Sequence, residues 1–472
     1  MPAHKQFIVD YATAVTEGYA AVFAGAGLSC GSGYVNWKNL LRPLAMAINL
    51  DIDREHDLIA VAQFRRNEDC NRYAINQAIL NEFTRDACEN ENIDILTRLP
   101  IATYWTTNYD ELIENGLKKN NRKADVKKKQ NSLAAHIVDR DAVVYKMHGD
   151  VNDPEEAVLT RDDYEMYEHL RPLFKTALKA DLISKTFLFV GFSFEDPNLD
   201  LVLSRIRGLL GESIRQHYCF VARERRDRFG SDDEYRYACV KQELRVKDLR
   251  RYGIRAVLLD DFEEITQVLR NIEYRCLLKN IFISGSQSEF TPPWDWERAS
   301  SFAHDLAKSL VRSDNKILSG FGLGIGSMVV NGALEEIMAS KYKHTDEHLC
   351  LRPFPQVGSG SVPLKKLWTA YRREMIRQAG VAIFLFGNKS VDGKIVTADG
   401  MMEEFAIAKE YGKAIIPVGS TGGASADIFA EILRDKDKYR YLHPHLDTLQ
   451  NSTDGGKLIE AIDDIVKCLK TA

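Results

Sequence analysis

The chain has 472 residues, 45% of them hydrophobic and 28% charged, with a formal net charge of −5. That length exceeds what one hydrophobic core serves, so two or three domains are expected. The acidic balance argues against non-specific nucleic-acid binding, and no stretch reaches the roughly 18 consecutive apolar residues that span a bilayer.

The N-terminal stretch MPAHKQFIVDYATAV carries polar residues within its apolar pattern and no signal-peptide core, so a cytoplasmic protein is expected. Lys5 to Gly18 reads as an amphipathic helix leading into a short buried strand, Ala20 to Ala24. Gly25-Ala26-Gly27 then removes side-chain bulk at a sharp turn, and Leu28 onward can start a helix. A strand, a glycine turn and a helix start make an anion site, with backbone N–H groups able to approach a pyrophosphate. A strict dinucleotide fingerprint asks for a third glycine at position 30, where this chain has Cys30.

Helical periodicity follows at Trp37 to Ile48 and Leu58 to Phe83. A strand lies within Leu96 to Trp105, followed by Asn108-Tyr109-Asp110 and a helix from Glu111. The lysine-rich run Lys118 to Lys129 reads as a solvated loop or a fraying helix end. Ala142 to Met147, ending at His148, and Lys185 to Val190, ending at Gly191-Phe192-Ser193, are further strands; Asp196-Pro197 suits a helix start. His217 to Val221 and Ile254 to Leu259 complete an open parallel sheet, with Ser29, Asn108, Asp110, His148 and Ser193 at the carboxyl ends of its strands.

The segment Glu264 to Lys279 reads as a helical connection, and a second sheet begins beyond it. Its strands are Asn280 to Ser284, Lys316 to Ser319, Val381 to Phe386 and Ala414 to Val418. The first leads into Gly285-Ser286, the second into Gly320 to Gly326, and the third into Gly387-Asn388-Lys389. The predicted fold class is therefore α/β, two Rossmann-like parallel-sheet domains spanning residues 1–275 and 276–472. The glycine loop at 320–326 suits phosphate cradling but lacks the lysine of a Walker motif, which disfavours ATP hydrolysis. Arg372, Arg373 and Lys389 could pair with phosphates, and Glu403 or Glu404 could accept from a ribose hydroxyl. The charges around Tyr371 to Arg377 also read as a solvated helix face.

The motifs G-A-G-L-S at 25–29, T-N-Y-D at 107–110, K-M-H-G-D at 146–150 and G-F-S-F-x-D-P-N at 191–198 resemble the sirtuin family, most of all its NAD-consuming bacterial branch. The resemblance implies that Gly25, Ala26, Gly27 and Ser29 hold the diphosphate and adenosine side of NAD+. Asn108 and Asp110 would lie around the nicotinamide ribose, and His148 would be the base that contacts its hydroxyls. Ser193 joins the NAD-binding set, although for Ser193 and Asp196 a structural role reads as readily as a ligand contact. Protein-deacylating sirtuins carry a zinc module of two C-x-x-C pairs. The eight cysteines here, at 30, 70, 88, 219, 239, 276, 350 and 468, form no such pair. No zinc is expected, and NAD+ is expected as a substrate, not a recycled cofactor. Transfer of ADP-ribose to water is favoured over deacylation or ADP-ribosyl transfer to an acceptor; a nucleotide sensor without turnover is the remaining alternative.

Residues 280–420 resemble a SLOG domain, and the order sirtuin-like then SLOG resembles the effectors of the Thoeris anti-phage system. This implies an NAD glycohydrolase that depletes NAD+ once a cyclic ADP-ribose isomer, made by a TIR-domain partner protein, binds the SLOG pocket. By the same resemblance the pocket would include Gly285, Ser286, Gly322, Gly324, Arg372, Lys389 and Glu404. It also implies a homotetramer with the sirtuin-like domains in contact.

Overall fold

The structure is a computed structural model that describes residues 4–194, 196–211, 214–355 and 363–471. The chain divides into two units, Met1–Glu273 and Tyr274–Ala472. The helix Glu264–Leu277 contains the division.

In the first unit, seven strands form one parallel sheet. They are β1 (Ala20–Ala24), β2 (Thr103–Thr106), β3 (Ala124–Lys127), β4 (Ala142–Lys146), β5 (Thr186–Val190), β6 (His217–Ala222) and β7 (Ile254–Leu259), in the order β3-β4-β2-β1-β5-β6-β7. Every pair is parallel. The central strands AAVFA and TFLFV are buried at every position, as expected for parallel strands covered on both faces. Phe23, Trp105, Phe174, Phe187 and Phe189 fill one core, each aromatic contributing about 2 kcal/mol by removal from water.

The strand order reverses beside β1. The chain first lays down β2, then the edge strand β3, then β4 between them, and crosses back to place β5 on the other side of β1. A crevice at the carboxyl ends of the strands belongs at such a reversal. The lysine-rich run differs from the loop read from its charges, because Ala124–Lys127 is the edge strand β3, paired with β4. Its apolar Val126 and a buried ion pair, Lys127 to Asp125 at 2.8 Å, allow a charged stretch to join the sheet.

The second unit carries β8 (Asn280–Ser286), β9 (Lys316–Ser319), β10 (Leu349–Leu351), β11 (Val381–Phe386), β12 (Asn388–Val391), β13 (Lys394–Thr397) and β14 (Ala414–Val418). Five of these form a sheet in the order β10-β9-β8-β11-β14, all parallel, while β12 and β13 form a separate antiparallel hairpin. Pro417 sits in β14, an edge strand, where its missing N–H can be tolerated. The reversal here lies between β8 and β11. The edge strand β10 and the hairpin were not legible in the sequence, being three and four residues per strand.

Backbone proximity fixes the β1–β5 reversal and, in the second unit, the neighbouring ends of β8 and β9. Gly191, just beyond β5, has φ +65°, and a Cβ there would lie 2.6 Å from the Gly27 carbonyl carbon and against the Leu28 nitrogen. Gly322, beyond β9, lies against the Gly285 carbonyl oxygen at the end of β8, leaving no room for a side chain. Gly191→Ala combines left-handed strain with a backbone clash, so it is expected to destabilise the first unit by about 3 kcal/mol. A lowered denaturant midpoint at unchanged slope measures this.

Candidate active site

The turn after β1 becomes a short helix, Ala26–Cys30. Its N–H groups are largely engaged within the protein. Gly25 N donates to Val190 O at 2.9 Å, Gly27 N to Gly191 O at 2.9 Å, and Leu28 N to Gly25 O at 3.0 Å. The glycines thus lace the turn to the end of β5. This differs from the open N–H cradle expected from the sequence, because close approach of two strand ends itself requires those donors.

The side chains beyond β2 are built onto this turn. Thr106 Oγ1 donates to Ala24 O at 3.0 Å and accepts from Asn108 N at 2.9 Å, setting the Asn108 backbone. The Asn108 amide nitrogen donates to Gly25 O at 3.0 Å and to Ser29 Oγ at 2.8 Å. A backbone carbonyl can only accept, so this face of the amide must be the NH2. Ser29 Oγ passes its own hydrogen to Asp110 Oδ2 at 2.6 Å, and Asp110 Oδ1 accepts from Leu112 N at 3.0 Å. Asn108, Ser29 and Asp110 therefore form one directed chain of buried hydrogen bonds.

His148 follows β4 and is buried. Its Nε2 lies 3.0 Å from Asp196 Oδ2, an ion-pair distance, without being aligned as a hydrogen bond. The rings of Tyr164 and Tyr167 meet the imidazole edge-on at 5.6 and 6.4 Å. Asp196 also caps the helix Pro197–Leu210, its Oδ1 accepting from Asn198 N and Leu199 N.

Ala26, Gly27, Ser29, Asn108, Asp110, His148, Gly191, Ser193 and Asp196 all line one cleft of about 1500 Å³ within the first unit. Gly25 gives its carbonyl to Asn108 and lies behind that wall. Ser193 reaches the cleft on a turn whose carbonyl accepts from Arg245. Glu195 of the fourth motif lies outside the described residues. Among the described residues, no group of three or more His, Cys, Asp or Glu is placed to hold a metal ion. No described helix is long and apolar enough to cross a membrane.

The scaffold beneath these residues escaped sequence reading. Lys146 ends β4 with its side chain fully buried. Its Nζ donates to the carbonyls of Tyr109 (3.1 Å) and Asp110, next to Asn108 in the chain. It also lies 2.6 Å from Asp150 Oδ2 and 3.3 Å from Glu114 Oε1. One cation thus ties the loop of Asn108 to the loop of His148. Burial would lower the Lys146 ammonium, but Glu114 and Asp150 hold it above the ordinary lysine range. The signal available beforehand was a lysine closing an apolar strand inside K-M-H-G-D.

In the second unit, Gly285, Ser286, Gly322 and Gly324 cluster at the carboxyl ends of β8 and β9, where Gln287 N donates to Leu323 O at 2.9 Å. Arg372 Nη1 donates to Glu403 Oε2 at 2.8 Å, its Nε to Glu404 Oε1 at 3.2 Å, and its guanidinium lies 4.9 Å from the Phe354 ring centre. Glu404 Oε2 accepts from Ser284 Oγ at 2.6 Å, joining the pair to β8. Burial raises the Glu404 carboxyl above its ordinary range, against Ser284 and Arg372. Lys389, on the hairpin, pairs with Asp399 at the start of the next helix. Arg373 instead pairs with exposed Glu410 and belongs to the solvated face.

Two family descriptions match the chain: a SIR2-like domain over residues 102–247, and the Sir2- and TIR-associating SLOG family over residues 264–469. The chain is 48% identical to the NAD(+) hydrolase ThsA of Bacillus cereus (strain MSX-D12), over 93% of this chain and 91% of that protein. It is 45% identical to the NAD(+) hydrolase ThsA of Cytobacillus dafuensis, covering 93% and 90%, and 43% identical to that of Acinetobacter baumannii (strain 532279), covering 96% of each.

Removing one partner of a buried charge network leaves the others uncompensated. Lys146→Met is therefore expected to cost about 3–5 kcal/mol, read as a lower thermal midpoint. Asp150 and Asp163 behave alike under acid. Burial would raise both carboxyls, but Lys146 and Lys128 beside Asp150, and Arg72 beside Asp163, hold them below the usual carboxylate range. A depressed carboxyl contributes stability above its unfolded value and loses it as pH falls through the folded one. Unfolding free energy should therefore decline below about pH 4, and Asp150→Asn should flatten that decline in acid titrations followed by circular dichroism.

Proposed function

The chain belongs to the ThsA family of NAD(+) hydrolases, and from that premise we propose that its first unit splits NAD+ with water into nicotinamide and ADP-ribose. The observation that carries this reading is the convergence of the Asn108–Ser29–Asp110 chain and buried His148 on one cleft beside the glycine turn. The glycosidic C–N bond breaks with its electrons leaving on nicotinamide, and an oxocarbenium-like ribose remains. Such a centre needs positioned dipoles more than a strong nucleophile. With both amide hydrogens of Asn108 engaged on Gly25 and Ser29, its Oδ1 is left to orient a ribose hydroxyl or the attacking water. His148 takes the proton from a ribose hydroxyl. Gly25, Ala26, Gly27, Ser29, Asp110 and Ser193 complete the substrate site.

We further propose that the second unit gates this activity. A cyclic ADP-ribose isomer, produced by a TIR-domain partner, would be held by Gly285, Ser286, Gly322, Gly324, Arg372, Lys389 and Glu404. The TIR association in the description of the matching SLOG family supports that source. Arg372, shared between Glu403 and Glu404, is the cation an incoming phosphate would recruit. Gating of this kind needs a ligand that prefers one of two arrangements of the protein. The protein acts as a homotetramer in the cytoplasm, and its turnover depletes NAD+ as an anti-phage response.

Incubating the full chain with NAD+, with and without cyclic ADP-ribose isomers, tests the reading. Nicotinamide release that depends on one isomer is expected, whereas no release under any condition would sink it. Asn108→Ala and His148→Ala should each cut release by about 100-fold or more. Arg372→Ala should abolish the response to the isomer; an unchanged response would misplace the gating site.

A further inference from the structure

Asp196 and His148 arrive from different strands, β5 and β4, yet meet in the same cleft with side chains only 7% and 6% exposed. An isolated buried carboxylate is costly, so its placement demands a partner. Four groups meet it: the imidazole Nε2 at 3.0 Å, the Tyr164 hydroxyl at 3.3 Å, and the backbone N–H groups of Asn198 and Leu199. Those two N–H groups bind Oδ1, while Tyr164 and His148 share Oδ2. Helix capping therefore accounts for one carboxylate oxygen and leaves the other for His148 and Tyr164.

We propose that Asp196 is a positioning residue for His148, fixing its tautomer and stabilising its protonated form during NAD+ cleavage. The inference rests on the hydrolase reading above. Although the contact is off the line of a hydrogen bond, a carboxylate 3.0 Å from Nε2 favours the neutral tautomer with its hydrogen on Nε2, which keeps the Nδ1 lone pair. When a ribose hydroxyl gives up its proton, the O–H bond breaks and an Nδ1–H bond forms. The resulting imidazolium faces Asp196, which remains ionised throughout. Burial would raise the Asp196 carboxyl, but His148 and the Leu199 N–H bring it below its ordinary range. The other titratable or charged groups facing the pair are Tyr164 and Tyr167 from helix Arg161–Leu170, Tyr109 after β2, and Arg171 beyond Tyr167. All three tyrosines have their hydroxyls pushed well up by burial and stay neutral near pH 7.

Asp196→Asn separates the two duties of this side chain, because an asparagine Oδ1 still caps the helix while the negative charge is gone. In the full chain, the variant should keep the wild-type thermal midpoint and KM for NAD+. Its kcat should fall by about tenfold or more. The acid limb of its pH–kcat profile should move down by about one pH unit or more, since the imidazolium has lost its opposite charge. The same displacement should appear in the NMR titration of the His148 imidazole C–H, assigned by its loss in His148→Gln. That second readout requires no turnover. If wild-type protein never releases nicotinamide, the hydrolase reading fails while the titration still judges Asp196. An Asp196→Asn protein with wild-type kcat and an unmoved titration overturns the proposal, and loss confined to Asp196→Ala assigns Asp196 to capping alone.

Discussion

The first unit depends on how closely two strand ends approach each other. β1 and β5 run side by side at the point where the strand order reverses, and the turns beyond them touch through Gly27 and Gly191. Contact at that distance excludes any Cβ, and it consumes the N–H groups of Gly25 and Gly27 as cross-links. The Asn108 side of the cleft is referenced to this junction. The Gly25 carbonyl orients Asn108, Asn108 orients Ser29, and Ser29 binds Asp110. The second unit uses a similar close approach, Gly322 against the Gly285 carbonyl, but between the neighbouring ends of β9 and β8 and not at its own reversal between β8 and β11.

The two units differ in where they put their buried charge. In the first, Lys146 and Lys128 are set against Asp150 and Glu114 beneath the cleft, which leaves the histidine–aspartate pair to shape its lining. In the second, one arginine is divided between two adjacent glutamates, and one of those is buried against β8. A balanced network under a site mainly fixes geometry. An arginine shared between two carboxylates has donors that another anion can compete for.

Most of this architecture was legible because parallel strands covered on both faces announce themselves as apolar runs, such as AAVFA, TFLFV and VAIFLF. The seven-residue glycine loop and the strand-end polar residues were legible for the same reason, since each follows a strand. What escaped were elements with no run to mark them. β3 hides in a lysine-rich stretch because its charges are paired internally, and β10 is three residues long. Lys146 escaped, and Asp196 was legible as a helix start or a ligand contact but not as the partner of His148, because Glu114 and His148 lie 32 and 48 residues away from them in the chain. Pairings of that kind are set by topology, which local pattern does not contain.

The locked amide of Asn108 narrows what can occupy its position. Aspartate has nearly the same shape and is the product of simple deamidation. At this position, however, its carboxylate would point at the Gly25 carbonyl and compete with Asp110 for the single hydrogen on Ser29. Acceptors would then outnumber donors at that wall of the cleft. Chemical ageing at this one side chain would therefore damage the wall of the cleft as well as the group that faces it. Its burial and its two hydrogen bonds are the protection the fold provides against that route to silence.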